Sequence, residues 1–172
     1  RTKTYGTAIT TGTTAFVVSG LLNNDAVTGV TLTSNGVLAT AAAGTYLIVP
    51  SAAVGTGLNN YVITYSDGTL TVNKASLTIT ATNQVKCEGT GVSIPTNAYT
   101  VNGLLNNDQV SGVILSSIAS STIATAGTYP IEPSGATGLG LDNYTINYVN
   151  GVFTVRALPA VTASSNVSSI SK

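Results

Sequence analysis

The sequence predicts an all-β protein built from two small antiparallel β-domains in tandem, and three observations carry that prediction. First, the chain of 172 residues repeats itself once at a constant offset: residues 20–25 (Gly-Leu-Leu-Asn-Asn-Asp) return as 103–108, and 44–46 (Gly-Thr-Tyr) as 127–129. About half of the paired positions are identical and neither copy has an insertion, which indicates two copies of one folding unit. Second, threonine, serine, asparagine, glycine and valine make up the bulk of the chain, as in strands and turns. Third, no long segment keeps the 3.6-residue apolar period of a helix.

The strands are predicted from runs of β-forming residues that occur at corresponding places in both copies. Between two of these strands, the segments 21–25 and 104–108 predict a short helical turn. The predicted strands are 15–18 with 98–101, 30–33 with 113–116, 45–49 with 128–132, and 75–82.

The end of each copy is predicted to form a β-hairpin. Residues 61–65 and 69–72 lie on either side of an Asp-Gly pair, and their counterparts 144–148 and 152–155 lie on either side of an Asn-Gly pair. The alternation of apolar residues along these strands predicts one buried face in each copy. The residues expected in the core are Tyr46, Ile48, Ile63 and Leu70 in the first copy, and Tyr129, Ile131, Ile146 and Phe153 in the second.

The offset divides the chain into residues 1–73, here repeat one, residues 74–156, here repeat two, and a tail of residues 157–172. Repeat two begins with the strand 75–82, whereas the counterpart of that strand in repeat one would precede Arg1. The tail resembles the first strand of a further repeat. No Gly/Ser/Pro linker separates the repeats, so we expect an elongated arrangement with a fixed angle between them.

Two interpretations of the missing first strand are open. A strand from another copy could occupy the vacant place by β-strand addition, burying Leu158, Ala160 and Thr162 of its tail and producing an open head-to-tail filament. Alternatively, these residues are one window of a longer repetitive chain whose neighbouring repeats are covalently attached.

The composition excludes several functional classes. Charged residues make up 7% of the chain and the net charge is zero, so no basic surface predicts nucleic-acid binding. No apolar run approaches the ~20 residues of a membrane span, so we expect no membrane insertion. There is no histidine, which removes the most frequent general base and metal ligand. The single cysteine, Cys87, is expected to be a small buried or half-buried apolar residue.

Few residues are candidates for chemistry, and we expect no catalytic, cofactor-binding or metal-binding residues. Asp25 and Asp108 recur, and their carboxylates are expected to cap the helical turn, the alternative being a cation ligand. The recurring tyrosines Tyr46, Tyr61 and Tyr65 are expected in the core, the alternative being an exposed platform for sugars. Two further features are positive backbone φ angles expected at Gly44 and Gly127, and N-glycosylation patterns at Asn143 and Asn166.

An ordered set of motifs in both copies resembles the MBG domain of the YGX type. In repeat one the motifs are Tyr5-Gly6, residues 20–25, 43–46, Asn60-Tyr61 and 67–72, followed by 74–81. The resemblance implies a small β-rich spacer module of the kind found in tandem in long bacterial surface and secreted adhesins, and the family's name implies contact with mucin or glycans. It implies no catalytic residues. Repeat two departs from the pattern at Glu88-Gly89, where the tyrosine is lost.

The function expected from the sequence is that of a structural repeat segment of a bacterial extracellular adhesin or surface filament. Its expected partners are neighbouring copies of the same repeat or protein, and its expected location is the bacterial cell surface. The alternative is a module of a surface adhesin that binds glycans or mucin. Exposed aromatic side chains beside a groove would favour this alternative. A β-sandwich and a β-grasp-like sheet are both open for the fold of each unit.

Overall fold

The computed structural model describes residues 1–163, which form eleven β-strands and four single-turn 3₁₀ segments. No α-helix occurs in this described range, so the prediction of an all-β fold is confirmed. The 3₁₀ segments are Asn35–Val37, Leu58–Asn60, Ile118–Ser120 and Leu141–Asn143. The strands are β1 (Thr2–Thr4), β2 (Ala26–Thr33), β3 (Gly44–Thr56), β4 (Gly68–Asn73), β5 (Ala75–Ala81), β6 (Gln84–Cys87), β7 (Tyr99–Asn102), β8 (Gln109–Ser116), β9 (Gly127–Leu139), β10 (Tyr144–Val149) and β11 (Gly151–Arg156).

Each repeat contributes one four-stranded sheet, and the two sheets have equivalent strand orders. They are β1-β4-β3-β2 in repeat one and β6-β11-β9-β8 in repeat two. Strands β2, β3 and β4 pair antiparallel in the first sheet, as β9 and β11 do in the second. The short strands β1 and β6 are the exception, because each runs parallel to its neighbour, β4 or β11. The sequence repeat is therefore also a structural repeat.

A third sheet contains only residues of repeat two. Its order is β10-β5-β7, so β5 lies between two partners. Alternate residues of β5 are buried, namely Ala75, Leu77, Ile79 and Ala81, and the threonines between them are partly covered as well. In repeat one the segments 16–19 and 61–66, which correspond to β7 and β10, are not strands.

The predicted hairpins are wrong in both repeats. In repeat two, β10 pairs in the sheet that contains β5, whereas β11 pairs with β6 and β9 in another sheet. In repeat one, residues 61–66 lie outside any strand although β4 follows them. An Asp-Gly or Asn-Gly pair indicates where the chain turns, but it does not determine whether the flanking runs pair with each other.

The chain forms two compact units, and their boundaries do not coincide with the repeats. Among the described residues, the first unit comprises 1–79, 101–112 and 136–147, and the second comprises 80–100, 113–135 and 148–163. The core of the first unit contains Tyr5, Val72, Ala75, Leu77 and Tyr144. The core of the second contains Ala81, Ala119, Ile131, Phe153 and Val155.

Half of the expected core residues are fully buried. Ile48, Leu70, Ile131 and Phe153 lie on β3, β4, β9 and β11 and are buried. Tyr46, Tyr129 and Ile146 are half-buried, and Ile63 is exposed. The exception at Ile63 has a structural cause, since its counterpart Ile146 lies on β10 beside β5, whereas the described residues of repeat one contain no equivalent of β5.

A buried lysine recurs in both repeats. Lys3 and Lys86 are each 6% exposed, and their Nζ atoms donate to backbone carbonyl oxygens. Lys3 bonds to Thr7 and Leu38, and burial lowers its pKa. Lys86 makes the equivalent bonds to Thr90 and Ser121. These bonds supply the partners that a charged group needs in the interior.

Cys87 is exposed, so the expectation that it is buried or half-buried is wrong. It follows Lys86 on β6, and successive residues of a strand point to opposite faces. Because the side chain of Lys86 takes the buried face, that of Cys87 faces solvent.

In the tail, residues 157–163 are exposed and lie outside any strand. Residues 164–172, including Asn166 of the second glycosylation pattern, lie outside the described range. At the constant offset of 83 residues, which makes Arg156 at the end of β11 equivalent to Asn73 at the end of β4, Leu158, Ala160 and Thr162 correspond to the buried Ala75, Leu77 and Ile79 of β5. Burial of this face of the tail in a partner stays a prediction.

Candidate interaction surface

Repeat one carries an open groove of about 810 Å³, here called the acceptor groove. The segments 14–19 and 61–66 line it, together with apolar side chains of β2 and β3 such as Val30, Leu32 and Ile48. Several apolar side chains beside it are unusually exposed. Val18, Ile63 and Tyr65 are 41%, 40% and 45% exposed, respectively.

The equivalent place in repeat two is filled by β5, which lies between β7 and β10. Tyr144 is only 3% exposed, whereas its counterpart Tyr61 is half-buried. Ile146 is half-buried, whereas Ile63 is exposed. The same residue types thus differ in burial according to whether a strand lies beside them.

Two pairs of equivalent glycines also show the difference between the acceptor groove and its filled counterpart in repeat two. A Cβ atom at Gly103 would lie 2.5 Å from the Ser76 carbonyl oxygen of β5, whereas one at Gly20 would meet nothing within 4 Å. A Cβ at Gly151 would lie 2.5 Å from the Ala81 carbonyl oxygen. At Gly68 the nearest atom, Ile48 Cβ, would be 3.6 Å away. Repeat one therefore has the backbone clearance that repeat two needs for β5.

The Leu-Asn-Asn-Asp segments form left-handed turns, so the expected helical turn is wrong. Asn23 and Asn24 have φ angles of 53° and 64°, and Asn106 and Asn107 have 51° and 63°. Asparagine tolerates this region better than most residues. With consecutive left-handed residues the turn does not open a right-handed helix, so there is no helix N-terminus for an aspartate to cap.

The aspartate of each turn instead accepts a hydrogen bond from a tyrosine. The Tyr61 hydroxyl donates to Asp25 Oδ2 at 2.8 Å, and the Tyr144 hydroxyl donates to Asp108 Oδ2 at 2.7 Å. Each tyrosine oxygen also accepts the backbone N–H of a turn leucine at 2.8 Å, Leu22 or Leu105. The expectation that these carboxylates cap backbone N–H groups is therefore replaced by a tyrosine–carboxylate bond.

In repeat two the aspartate also accepts a hydrogen bond from a second tyrosine. The Tyr5 hydroxyl donates to Asp108 Oδ2 at 2.9 Å, and its ring packs edge-on against Tyr144, with centroids 5.6 Å apart. Burial and the bond to Asp108 raise the pKa of Tyr144 to about 12. Burial also raises the pKa of Tyr5. For Tyr61, the bond from Leu22 lowers the pKa, but the bond to Asp25 and desolvation outweigh it, so the pKa is raised.

Tyr5 belongs to a wider set of contacts between residues of the two repeats, all within the first compact unit. Asn106 Nδ2 donates to the Ala39 carbonyl at 2.9 Å, and Asn143 Oδ1 accepts the Ala43 N–H at 2.9 Å. Gly6 has a φ of 84°, and a Cβ there would lie 2.4 Å from Leu105 Cδ1, so a larger residue would strain the backbone and displace the leucine side chain. The residues of repeat two in this set, here called the occupied dock, are Leu105, Asn106, Asp108, Asn143 and Tyr144.

Every residue of the occupied dock recurs in repeat one. The equivalent set, here called the open dock, is Leu22, Asn23, Asp25, Asn60 and Tyr61. The turn conformation and the tyrosine–aspartate bond recur as well. Sequence reasoning found the recurrence of these residues but not the contact they make, because Tyr5 and Asp108 lie far apart in the chain.

The residues of repeat one that contact the occupied dock do not all recur in repeat two. Glu88 replaces Tyr5, and its Oε1 accepts the N–H of Ala126, the counterpart of Ala43. Glu88 thus gives the Ala126 N–H a partner within repeat two. The equivalent Ala43 N–H of repeat one bonds instead to Asn143 of the next repeat.

The remaining candidate residues have local roles in the described range. The Tyr46 and Tyr129 hydroxyls donate to the carbonyls of Ala42 and Thr125, each at 2.9 Å, and Tyr65 accepts the Ala53 N–H at 2.8 Å. Gly44 and Gly127 have the expected positive φ angles of 153° and 157°. Residues 1–163 contain no group of three or more His, Cys, Asp or Glu side chains suited to a metal ion, and no helix long and apolar enough to span a bilayer.

Comparison with known proteins gives one result. The family model described as MBG domain (YGX type) matches the chain twice, at residues 1–71 and 77–154. No curated protein and no solved structure matches the chain significantly. The two matched segments cover most of the chain and coincide with the two sequence repeats.

Proposed function

The chain belongs to the MBG domain family of the YGX type, and we propose that it is a structural repeat segment of a bacterial extracellular adhesin or surface filament whose repeats join head to tail by β-strand addition. MBG repeat domains are structural modules. The near absence of charge supports an extracellular role, because such a surface depends on hydroxyl and amide groups and hardly titrates. Neighbouring repeats are the partners in this proposal.

One observation carries the proposal: the acceptor groove of repeat one is the place that β5 fills in repeat two. Unpaired backbone groups beside a sheet are a template for another strand. The segments 16–19 and 61–66 correspond to the two partners of β5. The exposed apolar side chains Val18 and Ile63 would be covered by the alternating apolar face of an added strand.

A synthetic peptide tests whether the groove accepts a strand. The probe is a labelled peptide with the sequence of residues 74–83, and the target is the 172-residue chain. We expect saturable binding by fluorescence anisotropy, with NMR shifts confined to the amides of 16–19 and 61–66. A control peptide with serine at the positions of Leu77 and Ile79 should bind at least about tenfold more weakly, because it lacks two large apolar side chains. Equal affinity of the two peptides, or no saturable binding, would contradict strand addition.

The alternative function is glycan or mucin binding, and one observation favours it: aromatic residues line the acceptor groove. Phe16, Tyr61 and Tyr65 all contribute to it, and Tyr65 is 45% exposed. Their counterparts Tyr99, Tyr144 and Tyr148 lie on the strands beside β5, so the missing strand is sufficient to explain the exposure. A glycan array measured with the chain and with a Tyr65→Ala variant distinguishes the two, because a sugar platform requires binding that the variant loses.

A further inference from the structure

We propose that the open dock of repeat one is a second docking site for a neighbouring MBG repeat, specific for a partner that carries a tyrosine at the position of Tyr5. This inference rests on the proposed function and defines the chemistry of the partner. The site comprises Leu22, Asn23, Asp25, Asn60 and Tyr61.

The occupied dock of repeat two specifies what the partner must present. It receives a tyrosine hydroxyl on Asp108, a backbone carbonyl on Asn106 and a backbone N–H on Asn143. It also receives a glycine backbone against Leu105. The open dock has the same donors and acceptors in the same order along the chain: Asp25, Asn23, Asn60 and Leu22.

The open dock is also preformed. Asn23 and Asn24 have nearly the same φ angles as Asn106 and Asn107. The Tyr61–Asp25 bond, at 2.8 Å, matches the Tyr144–Asp108 bond at 2.7 Å. An Asp25 oxygen that already accepts one tyrosine hydroxyl can accept a second, as Asp108 does, because a carboxylate offers about four acceptor positions.

The partner's tyrosine determines the specificity of the open dock, and repeat two carries Glu88 in place of this tyrosine. Glu88 cannot donate a hydrogen bond to Asp25 when ionised, and two carboxylates would repel each other. Glu88 also already bonds to Ala126, the counterpart of the Ala43 donor.

The strand that follows repeat two is unsuitable as well. Pro159 takes the place of Ser76 of β5, and proline cannot donate a hydrogen bond from within a strand that lies between two others. The partner is therefore a repeat that, like repeat one, carries Tyr-Gly and is followed by a strand like β5.

The test uses the full chain extended by one repeat. Residues 1–83 are duplicated in front of Arg1, so that the added repeat stands in the same relation to repeat one as repeat one does to repeat two. The readout is amide hydrogen exchange of residues 22–25 and 60–61. Strand addition alone would protect 16–19 and 62–66, whereas docking also protects the turn at 22–25.

Matched variants separate the dock from the strand. In the extended chain we expect exchange at 22–25 to slow at least about tenfold relative to the 172-residue chain. Glutamate at the added tyrosine, or Asp25→Asn, should remove that protection while 62–66 remain protected. The pKa of Tyr61 should rise in the extended chain, as a titration against a Tyr61→Phe variant would report.

Three results would overturn the docking site. Protection at 22–25 that is unchanged by glutamate at the added tyrosine would mean that the tyrosine does not dock there. Protection of 62–66 without any change at 22–25 would reject the docking site but leave strand addition intact. No protection in either segment would reject both the docking site and strand addition.

Discussion

At the scale of single residues, the carboxylate shared by Tyr5 and Tyr144 explains why an aspartate recurs in a chain with few charges. Asp108 accepts both hydroxyls, and the two rings cover one another. Gly140, with a φ of 76°, lies directly against that carboxylate, and a Cβ there would be 2.0 Å from Asp108 Oδ1. A left-handed residue and a tight contact thus coincide at a position that only glycine can occupy.

The raised pKa of Tyr144 predicts a loss of stability in alkaline solution. Below pH 10 the tyrosine is neutral in both states, and its contribution is fully present. Between pH 10 and about 12 the unfolded chain has released the proton that the folded chain still holds, so the free energy of unfolding falls as the pH rises. We expect an ultraviolet phenolate titration to show a component near 12 that a Tyr144→Phe variant lacks. The Tyr129→Phe variant is the control, and equal loss of that component in both variants would contradict the assignment.

Ala52 and its counterpart Gly135 provide a matched pair for backbone strain. Both have left-handed φ angles, 48° and 56°, which cost an alanine about 1–2 kcal/mol. We expect Ala52→Gly to be neutral or to stabilise the fold by about 1 kcal/mol, since greater freedom in the unfolded state offsets part of the gain. Gly135→Ala should be destabilising, because its Cβ would lie 2.9 Å from Ile114 Cδ1. Urea unfolding measures both, and a destabilising Ala52→Gly would contradict the expectation.

At the scale of elements, β10 and residues 61–66 show that the partner decides whether a β-forming run becomes a strand. Both segments carry tyrosine, isoleucine and tyrosine at alternate positions. Residues 144–149 form a strand beside β5, whereas 61–66 do not form one. Local sequence therefore predicts the ability to form a strand, and a distant segment determines the outcome.

Equivalent isoleucines on these two segments should respond differently to truncation. Ile146→Ala should cost about 1–3 kcal/mol, less than for a fully buried isoleucine, because the side chain is half-buried. Ile63→Ala should cost about 0–1 kcal/mol, because that side chain is 40% exposed. Chemical denaturation of both variants measures the difference. Similar costs for the two would mean that β5 contributes little to the burial of Ile146.

The sequence predicts most strand positions, and it fails where the pairing partner rather than the local run decides the outcome, namely at the hairpins and at 15–18 and 61–65 of repeat one. The predicted strands 30–33, 45–49, 113–116 and 128–132 lie within β2, β3, β8 and β9, because β-forming runs at corresponding places in both repeats identify them. The hairpins failed because β10 pairs with β5 rather than with β11. The docked Tyr5 was missed for the same reason, although its replacement by Glu88 was visible in the sequence.

At the scale of the whole molecule, the two repeats differ in which segments pack on their groove and aspartate turn, whereas the residues that form these two features are similar. Repeat two has β5 in its groove and Tyr5 on its aspartate turn. Repeat one keeps the same side chains around an open groove and an open turn. The central claim is that a strand of the β5 type completes each repeat.

The most direct measurement places that strand in front of repeat one. The sequence of residues 74–83 is joined directly to Arg1, which restores the offset of the natural repeat. Amide hydrogen exchange and thermal unfolding are then compared with those of the 172-residue chain and of a control extension with serine at the positions of Leu77 and Ile79. We expect new protection at 16–19 and 61–66 and a higher unfolding temperature for the native extension alone. Unchanged exchange in both segments, or equal effects of the two extensions, would contradict it.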